Sequence, residues 1–144
     1  MFLVDTNVLS ETRKVARANP NVLDFFFSTE QALFLPVQVI GEIRSGIEAL
    51  RQRGDLLQAQ SIQNWFQNIL AKYSPRILAF DLDCAQKWGQ LMGVNDQHIV
   101  DRQIAAIALA YNLTVVSRNT NHFERTGVRL YNPFSADALP QAGN

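Results

Sequence analysis

Short hydrophobic runs along this chain alternate with longer stretches in which apolar positions recur at helical spacing. The runs predict strands at about 2–5, 33–35, 77–80, 114–116 and 128–131. The intervening stretches predict helices from Val8, at 21–28, from Pro36 to about 53, at about 55–72, from about 83 to 93, and at 99–111. Strands separated by helices need crossover connections. We therefore expect a three-layer α/β/α sandwich with a mainly parallel, four- or five-stranded sheet.

Single residues refine this pattern. Pro36 suits the first turn of the helix after the second strand, and Gly54 suits the end of that helix. Three consecutive phenylalanines are expected to supply the core face of the helix at 21–28, namely Phe25, Phe26 and Phe27. Trp65 and Trp88 lie in apolar helical patterns, which favours the core or an interface over base stacking.

Length and composition indicate a single globular domain over residues 1–144. Apolar residues make up 47% of the chain and charged residues 18%. No apolar run approaches the roughly 20 residues of a membrane span, and the N-terminal strand runs straight into Asp5 without a signal-like segment, so a cytoplasmic protein is expected. The formal net charge of zero does not indicate nucleic-acid binding through bulk charge, although local arginines could grip phosphate. The lone Cys84 cannot form an internal disulfide and is expected to pack as a small hydrophobe.

Acidic residues follow several of the predicted strands. Asp5 ends the first strand, Glu42 lies about two turns into the helix after the second, and Asp101 is near the start of the helix that precedes the fourth. Ser117 and Asn119 follow the fourth strand. All carboxyl ends of a parallel sheet lie on one edge, where ligands bind, so these side chains can converge.

Three carboxylates in one cleft repel each other unless a cation neutralises them, and oxygen ligands favour Mg²⁺ or Mn²⁺. Such a site suits hydrolysis of a phosphodiester, since the ion polarises the phosphoryl group and activates water. Each acid also has a plainer explanation. Asp5 could cap a helix, and Glu42 could pair with Arg44 or with a residue one turn away. Asp101 could be an acid that the helix dipole favours at the start of a helix.

A second acidic motif, Phe80-Asp81-Leu82-Asp83, looks superficially like the opening of haloacid-dehalogenase-type phosphatases. It follows the third strand rather than the first, and Lys87 is the sole lysine after it, which disfavours that chemistry. Asp81 or Asp83 is expected to cap the following helix instead. A receiver-like phospho-acceptor ranks last, because no suitably placed lysine follows a late strand.

Four blocks of the sequence resemble the signature blocks of PIN-domain proteins, and among these the VapC-type, FitB-like toxins. The resemblance covers nearly the whole chain in the right order. The blocks are Leu3-Val4-Asp5-Thr6-Asn7, Gly41-Glu42-Ile43-Arg44-Ser45-Gly46, Asp101-Arg102-Gln103-Ile104-Ala105-Ala106 and Val116-Ser117-Arg118-Asn119-Thr120, followed by a C-terminal block Val128-Arg129-Leu130-Tyr131-Asn132-Pro133-Phe134.

The resemblance implies a Mg²⁺- or Mn²⁺-dependent endoribonuclease that is the toxin of a type II toxin–antitoxin pair. It implies an RNA substrate, a homodimer, and a heterotetramer or larger assembly with a VapB-like antitoxin. By position, Asp5 and Asp101 would bind metal, and Glu42 would bind metal or orient the attacking water. The remaining carried-over residues would orient carboxylates, touch phosphate or line the rim of the site, and they are Thr6, Asn7, Ser117 and Asn119.

One departure from the family pattern bears on the site. His122 stands where many members carry an acid just before the phenylalanine of the last block. We expect it to be an exposed loop histidine, and contact with phosphate is the alternative. Asp96 is a spare candidate for a fourth acid. The rival functional hypothesis is a PIN-fold binding module that uses the acidic pocket only to hold a partner. In either case an acidic cleft invites an arginine or lysine from an inhibitor.

Overall fold

The computed structural model describes residues 1–135, and within them the sheet is fully parallel. Its strands run in the order β3-β2-β1-β4-β5, which places β1 at the centre. The strands are β1 (Phe2–Val4), β2 (Leu33–Pro36), β3 (Ile77–Leu78), β4 (Thr114–Val116) and β5 (Arg129–Tyr131). The five-stranded parallel sheet between helices confirms the expected α/β/α class.

Helices connect the strands and cover both faces of the sheet. They are α1 (Thr6–Glu11), α2 (Pro20–Thr29), α3 (Val37–Gln52), α4 (Leu56–Tyr73), α5 (Leu82–Val94) and α6 (Ile99–Tyr111). Four of them begin at an Asp or Asn whose side-chain oxygen accepts a hydrogen bond from the first turn, and these caps are Asp5, Asn19, Asp55 and Asp81. No helix in the described part of the chain is both long enough and apolar enough to cross a membrane.

Alternation along the central strands divides the core into two layers. Val4 and Val116 belong to the cluster formed with α1 to α4, whereas Leu3 and Val115 belong to the cluster formed with α5 and α6. Successive strand residues point to opposite faces, so a strand buried on both sides reads as a continuous apolar run. Trp65 is partly buried and packs against the first cluster, which agrees with the predicted core or interface position.

Two local expectations were wrong. Pro36 is the last residue of β2, with the extended backbone of a helix N-cap, and the helix begins at Val37. Phe25 is buried, but Phe27 is 89% exposed. Residues two apart on a helix point about 200° away from each other, so Phe25 and Phe27 cannot share one face. The expected helix end at Gly54 is confirmed by its positive φ of 79°.

The pairing of β1 with β4 positions the polar residues that follow these strands. Val4 is in register with Val116, and the Asp5 amide donates to the Val116 carbonyl at 2.9 Å. The chain therefore leaves the two central strands side by side, with Asp5 next to Ser117. This is the carboxyl edge of the sheet, where open parallel sheets bind ligands.

Candidate metal centre

A cavity of about 510 Å³ opens at the carboxyl edge of the sheet. Side chains from α1, α3, α6 and the segment after β4 line it: Asp5, Thr6, Asn7, Glu42, Val100, Asp101, Asn119 and His122. Three carboxylates that are scattered in sequence thus meet at one cavity. Ser117, the remaining residue of the expected set, is fully buried behind Asp5.

Asp5 is held in place by hydrogen bonds on both carboxylate oxygens. Its Oδ1 accepts from the Thr6 amide at 2.8 Å, which makes it the N-cap of α1. Its Oδ2 accepts from the Ser117 hydroxyl at 2.8 Å and from the Asn7 amide group at 3.4 Å. The side chain is therefore both a helix cap and a cavity residue, so the two interpretations of Asp5 are compatible.

Asn7 and Ser117 join the loop after β4 to the start of α1. The Asn7 side chain donates to the Ser117 hydroxyl at 3.3 Å and accepts from the Arg118 amide at 3.0 Å. The Asn119 amide also donates to the Ser117 hydroxyl, at 3.0 Å. This network fixes the orientation of the Asp5 carboxylate and brings Asn119 to the cavity rim.

Glu42 reaches the cavity from the second turn of α3. Arg44 does not pair with it. Instead, Arg44 donates to Gln63 of α4 at 2.7 Å and to Glu48, one turn further along α3, at 3.4 Å. The charges that act on Glu42 are therefore those of Asp5 and Asp101 in the cavity, and not that of Arg44.

Burial and mutual repulsion act on two of the acids. Desolvation raises the pKa of Asp5, the Asp101 charge adds to this, and the hydrogen bonds from Ser117 and Thr6 oppose it. Glu42 is exposed as a whole residue, yet desolvation of its carboxyl group raises its pKa, and the charges of Asp5 and Asp101 raise it further. Both groups thus resist carrying a negative charge together unless a cation is near.

Asp101 lies in the first turn of α6 and contacts the residue that departs from the family pattern. His122 Nδ1 is 3.0 Å from Asp101 Oδ2, and the side chains are 31% and 22% exposed. The expectation of an exposed loop histidine was wrong. The short 3-10 turn Thr120–Phe123 is anchored by the buried Phe123, and this turn directs the His122 ring into the cavity.

The donor set fits a divalent cation. Carboxylate oxygens of Asp5, Glu42 and Asp101 are the hard ligands that Mg²⁺ and Mn²⁺ prefer. The buried Thr6 hydroxyl, also at the cavity, has no hydrogen-bond partner of ordinary geometry among the described residues, although it lies close enough to Glu42 to lower that pKa somewhat. An unsatisfied buried hydroxyl beside clustered carboxylates is what a hydrated ion would satisfy.

The other acids that sequence reasoning considered lie elsewhere. Asp96 is exposed and does not line the cavity. Asp81 caps α5, accepting from the Cys84 amide at 3.0 Å, and its pKa is lowered by that bond and by the Tyr111 hydroxyl. The expected helix-capping role of Asp81 is thus confirmed. Cys84 is buried in the cluster with α6, as expected of a small hydrophobe.

Sequence reasoning missed two neighbours of the cavity. His98, just before α6, stacks its ring on that of His122 with the centroids 4.1 Å apart. Arg102 is only 1% exposed, and its Nε donates to the Gln97 carbonyl at 2.9 Å. Because arginine is mostly exposed in proteins, only the apolar helical pattern around Arg102 could have indicated its burial.

A family model described as the PIN domain matches residues 2–128 of the chain. The chain belongs to the PIN-domain family. Three curated relatives of this PIN domain match over nearly their whole length. They are the plasmid stability protein StbB of Pseudomonas syringae (33% identical, 94% of this chain, 100% of the relative), the VapC ribonuclease Y4jK of Sinorhizobium fredii (31%, 93%, 98%) and the toxin FitB of Neisseria gonorrhoeae (30%, 93%, 99%).

Solved structures agree with this assignment of the PIN domain. FitAcB from Neisseria gonorrhoeae superposes with a TM-score of 0.78 at 30% identity, covering 93% of this chain and 99% of the other. FitAB bound to an IR36 DNA fragment gives 0.77 at 28% identity, covering 96% and 99%. A toxin–antitoxin complex from Klebsiella pneumoniae (TM-score 0.68, 17% identity, 92% and 98%) shares the fold.

Proposed function

We propose that this PIN domain is a Mg²⁺- or Mn²⁺-dependent endoribonuclease and the toxin of a type II toxin–antitoxin pair. The observation that carries the proposal is the convergence of three carboxylates, Asp5, Glu42 and Asp101, on one open cavity. The relative named VapC ribonuclease and the relative named toxin FitB support the reaction and the biological role. The proposal places the protein in the cytoplasm, with RNA as its substrate.

In this proposal Asp5 and Asp101 hold the cation, and Glu42 binds it or orients the attacking water. A bound divalent ion supplies charge neutralisation at the phosphoryl group and activates a water molecule. Asp5 is preorganised for this task by the Ser117 and Asn7 side chains. Glu42, which enters the cavity from α3, would position a water through its carboxylate for in-line attack on phosphorus. Asn119 offers a neutral polar group to the substrate phosphate, and Thr6 orients the Glu42 carboxylate.

RNA cleavage by matched variants of α3 tests the nuclease. Glu42→Gln removes a cavity carboxylate, whereas Glu48→Gln removes one that pairs with Arg44 and Arg51 outside it. We expect Glu42→Gln to lower the cleavage rate by at least about 100-fold, since positioning by one acid–base group contributes about 10²–10⁴-fold. Glu48→Gln should cleave as the wild type does, and chelation of divalent ions should abolish cleavage in both.

Equal cleavage by Glu42→Gln and Glu48→Gln would remove Glu42 from the site. If the wild type cleaves no RNA with Mg²⁺ or Mn²⁺, the alternative of a PIN-fold binding module is favoured instead. A broad RNA mixture is the suitable first substrate, because single-stranded RNA recognition depends on loop shape and stacking.

We further propose that a cognate antitoxin closes the cavity with a basic side chain and that the toxin is a homodimer within the complex. The cavity combines three acids with an open mouth, and bidentate arginine–carboxylate pairing is strong in such surroundings. The protein encoded by the neighbouring reading frame should therefore block cleavage. Replacing its basic residues one at a time should restore activity, and full inhibition by every variant would contradict this mode of binding. The mass of the purified complex tests the homodimer and the heterotetramer.

A further inference from the structure

Two histidines and one aspartate cluster on the α6 side of the cavity. His122 Nδ1 lies 3.0 Å from Asp101 Oδ2, and one ligating atom from each of His98, Asp101 and His122 lies within 4.8 Å of the others. The two imidazole rings stack with their planes 16° apart. These are the only histidines of the whole sequence, and both are at this place.

The backbone brings His98 to this position at a cost. Its φ of 55° and ψ of 54° are in the left-handed region, which is uncommon for a residue that is not glycine. The conformation is held from both sides. The His98 carbonyl accepts from the Arg102 amide at 2.9 Å, and the Gln97 carbonyl accepts from the buried Arg102 Nε at 2.9 Å. Arg102 thus fixes the turn that presents the His98 ring to His122.

The chemistry of the three side chains differs from that of the carboxylate cavity. Two imidazole nitrogens with one carboxylate oxygen suit Zn²⁺, Mn²⁺, Co²⁺, Ni²⁺ or Fe²⁺, whereas Mg²⁺ prefers oxygen alone. In tetrahedral coordination with bonds of about 2.0–2.2 Å, two ligand atoms of one ion lie about 3.3–3.6 Å apart. The three ligand atoms lie within 4.8 Å of one another, and the exposed His98 ring can move closer to the other two by rotating about its side-chain bonds.

We propose that His98, Asp101 and His122 form a binding site for a transition-metal ion at the rim of the carboxylate cavity, with Asp101 shared between the two. Three protein ligands leave positions open for water or substrate, as in catalytic rather than structural metal sites. The site deepens the proposed function, and it rests on that function only for a role in RNA cleavage. The imidazole nitrogen of His122 stands at a position where an acid was expected.

Titration of the untagged, metal-free protein with Co²⁺ tests the site. Visible absorption of Co²⁺ reports nitrogen ligation, and calorimetry with Zn²⁺ gives the affinity. The variants are His98→Asn, which tolerates the left-handed backbone, and His122→Asn. Each should weaken binding by at least about 10–100-fold, since even residues that only orient ligands have effects of that size.

The matched control is Asp96→Asn, which removes an exposed carboxylate two residues before His98 and leaves the three proposed ligands intact. It should keep the Co²⁺ spectrum and the Zn²⁺ affinity of the wild type. Binding unchanged in both histidine variants would overturn the proposal, as would loss of binding in Asp96→Asn equal to that in the histidine variants. Nitrogen NMR of the two imidazoles provides a second readout, because Zn²⁺ must shift both signals if both are ligands.

The outcome is separable from that of the nuclease proposal. Zn²⁺ binding through the histidines in a protein that cleaves no RNA would support this site and contradict the nuclease. Mg²⁺-dependent cleavage in a protein whose histidine variants bind Zn²⁺ as the wild type does would support the nuclease and overturn this site. Circular dichroism of each variant, matching that of the wild type, excludes loss of fold as the cause.

Discussion

Asp5 and Asp81 occupy the same local motif with opposite electrostatic results. Each follows a short hydrophobic segment, caps the next helix through Oδ1 and accepts a hydroxyl hydrogen bond on Oδ2, from Ser117 at 2.8 Å and from Tyr111 at 3.0 Å. Yet Asp5 is 4% exposed and its pKa is raised by burial, whereas Asp81 is exposed and its pKa is lowered by the Cys84 hydrogen bonds. The local motif is shared, so it does not identify the site.

The two aspartates differ in the side chains that the sheet places beside them. β1 is the central strand, and Asp5 at its end meets acids from α3 and α6. Asp81 follows β3, an edge strand, and accepts hydrogen bonds from the Cys84 amide and the Tyr111 hydroxyl. A carboxylate whose charge the fold disfavours costs stability, and proteins keep such strain at functional sites.

The largest difference should be in RNA cleavage. Asn caps a helix about as well as Asp, so Asp5→Asn and Asp81→Asn each keep the cap and remove one charge. We expect Asp5→Asn to lower the cleavage rate by at least about 100-fold, because the loss of a proposed metal ligand should have a larger effect than the loss of a residue that only orients one. Asp81→Asn should leave the rate unchanged. A gel assay with Mn²⁺ and a fixed RNA measures both cleavage rates. Equal rates in the two variants would show that the two aspartates do not differ in their effect on cleavage.

The next largest difference in cleavage rate is expected between the variants that remove the two hydroxyl donors. Ser117→Ala removes the hydrogen bond that orients Asp5 and holds its pKa down, which should weaken ion binding and lower cleavage by about 10–100-fold. Tyr111→Phe removes the corresponding bond to Asp81 and should not affect cleavage. The rate as a function of Mn²⁺ concentration is the measurement. Recovery of the Ser117→Ala rate at high Mn²⁺ is expected, and its absence would point to a role beyond ion binding.

With a chelator present, Asp5→Asn and Asp81→Asn should change the free energy of unfolding in opposite directions. Asp5→Asn removes a buried charge that burial and Asp101 disfavour, so it should raise the free energy of unfolding by roughly 1 kcal/mol, the usual scale of a single substitution. Asp81→Asn removes a charge that its hydrogen bonds favour, so it should lower stability. Urea denaturation at neutral pH measures both changes. A destabilised Asp5→Asn variant would mean that its hydrogen bonds outweigh the desolvation cost.

The convergence of the acids could be predicted from sequence because it follows from topology. A parallel sheet puts all strand ends on one edge, so the positions of Asp5, Glu42 and Asp101 after or between predicted strands were enough to bring them together. The limits of α6 and β4 were also predicted as observed, since Ile99–Tyr111 has strong apolar periodicity and Asn112 ends the helix in the left-handed region.

The surroundings of Asp101 could not be predicted in the same way. The contact with His122 depends on a short 3-10 turn anchored by Phe123, and the position of His98 depends on a strained backbone held by Arg102. These are loop conformations set by distant side chains, and no periodicity encodes them. A histidine in a polar segment therefore indicates an exposed loop residue until the tertiary contacts are known.

The smallest difference should be in the pH dependence of metal-free stability. Between 3.8, the ordinary pKa of an aspartate, and the higher pKa of folded Asp5, the folded state binds more protons than the unfolded state, so Asp5 makes stability fall as the pH rises. For Asp81 the window lies below 3.8, and stability rises with pH through it. Urea midpoints, measured with a chelator across the acid range, test both slopes. Above pH 3.8 the midpoint should fall with pH less steeply in Asp5→Asn than in the wild type. Below pH 3.8 it should rise with pH less steeply in Asp81→Asn than in the wild type. Glu42→Gln should act like Asp5→Asn, because its pKa is also raised. Curves for Asp5→Asn and the wild type that run parallel over the whole range would mean that the cavity exerts no net penalty on the Asp5 charge, and the electrostatic contrast with Asp81 would fail.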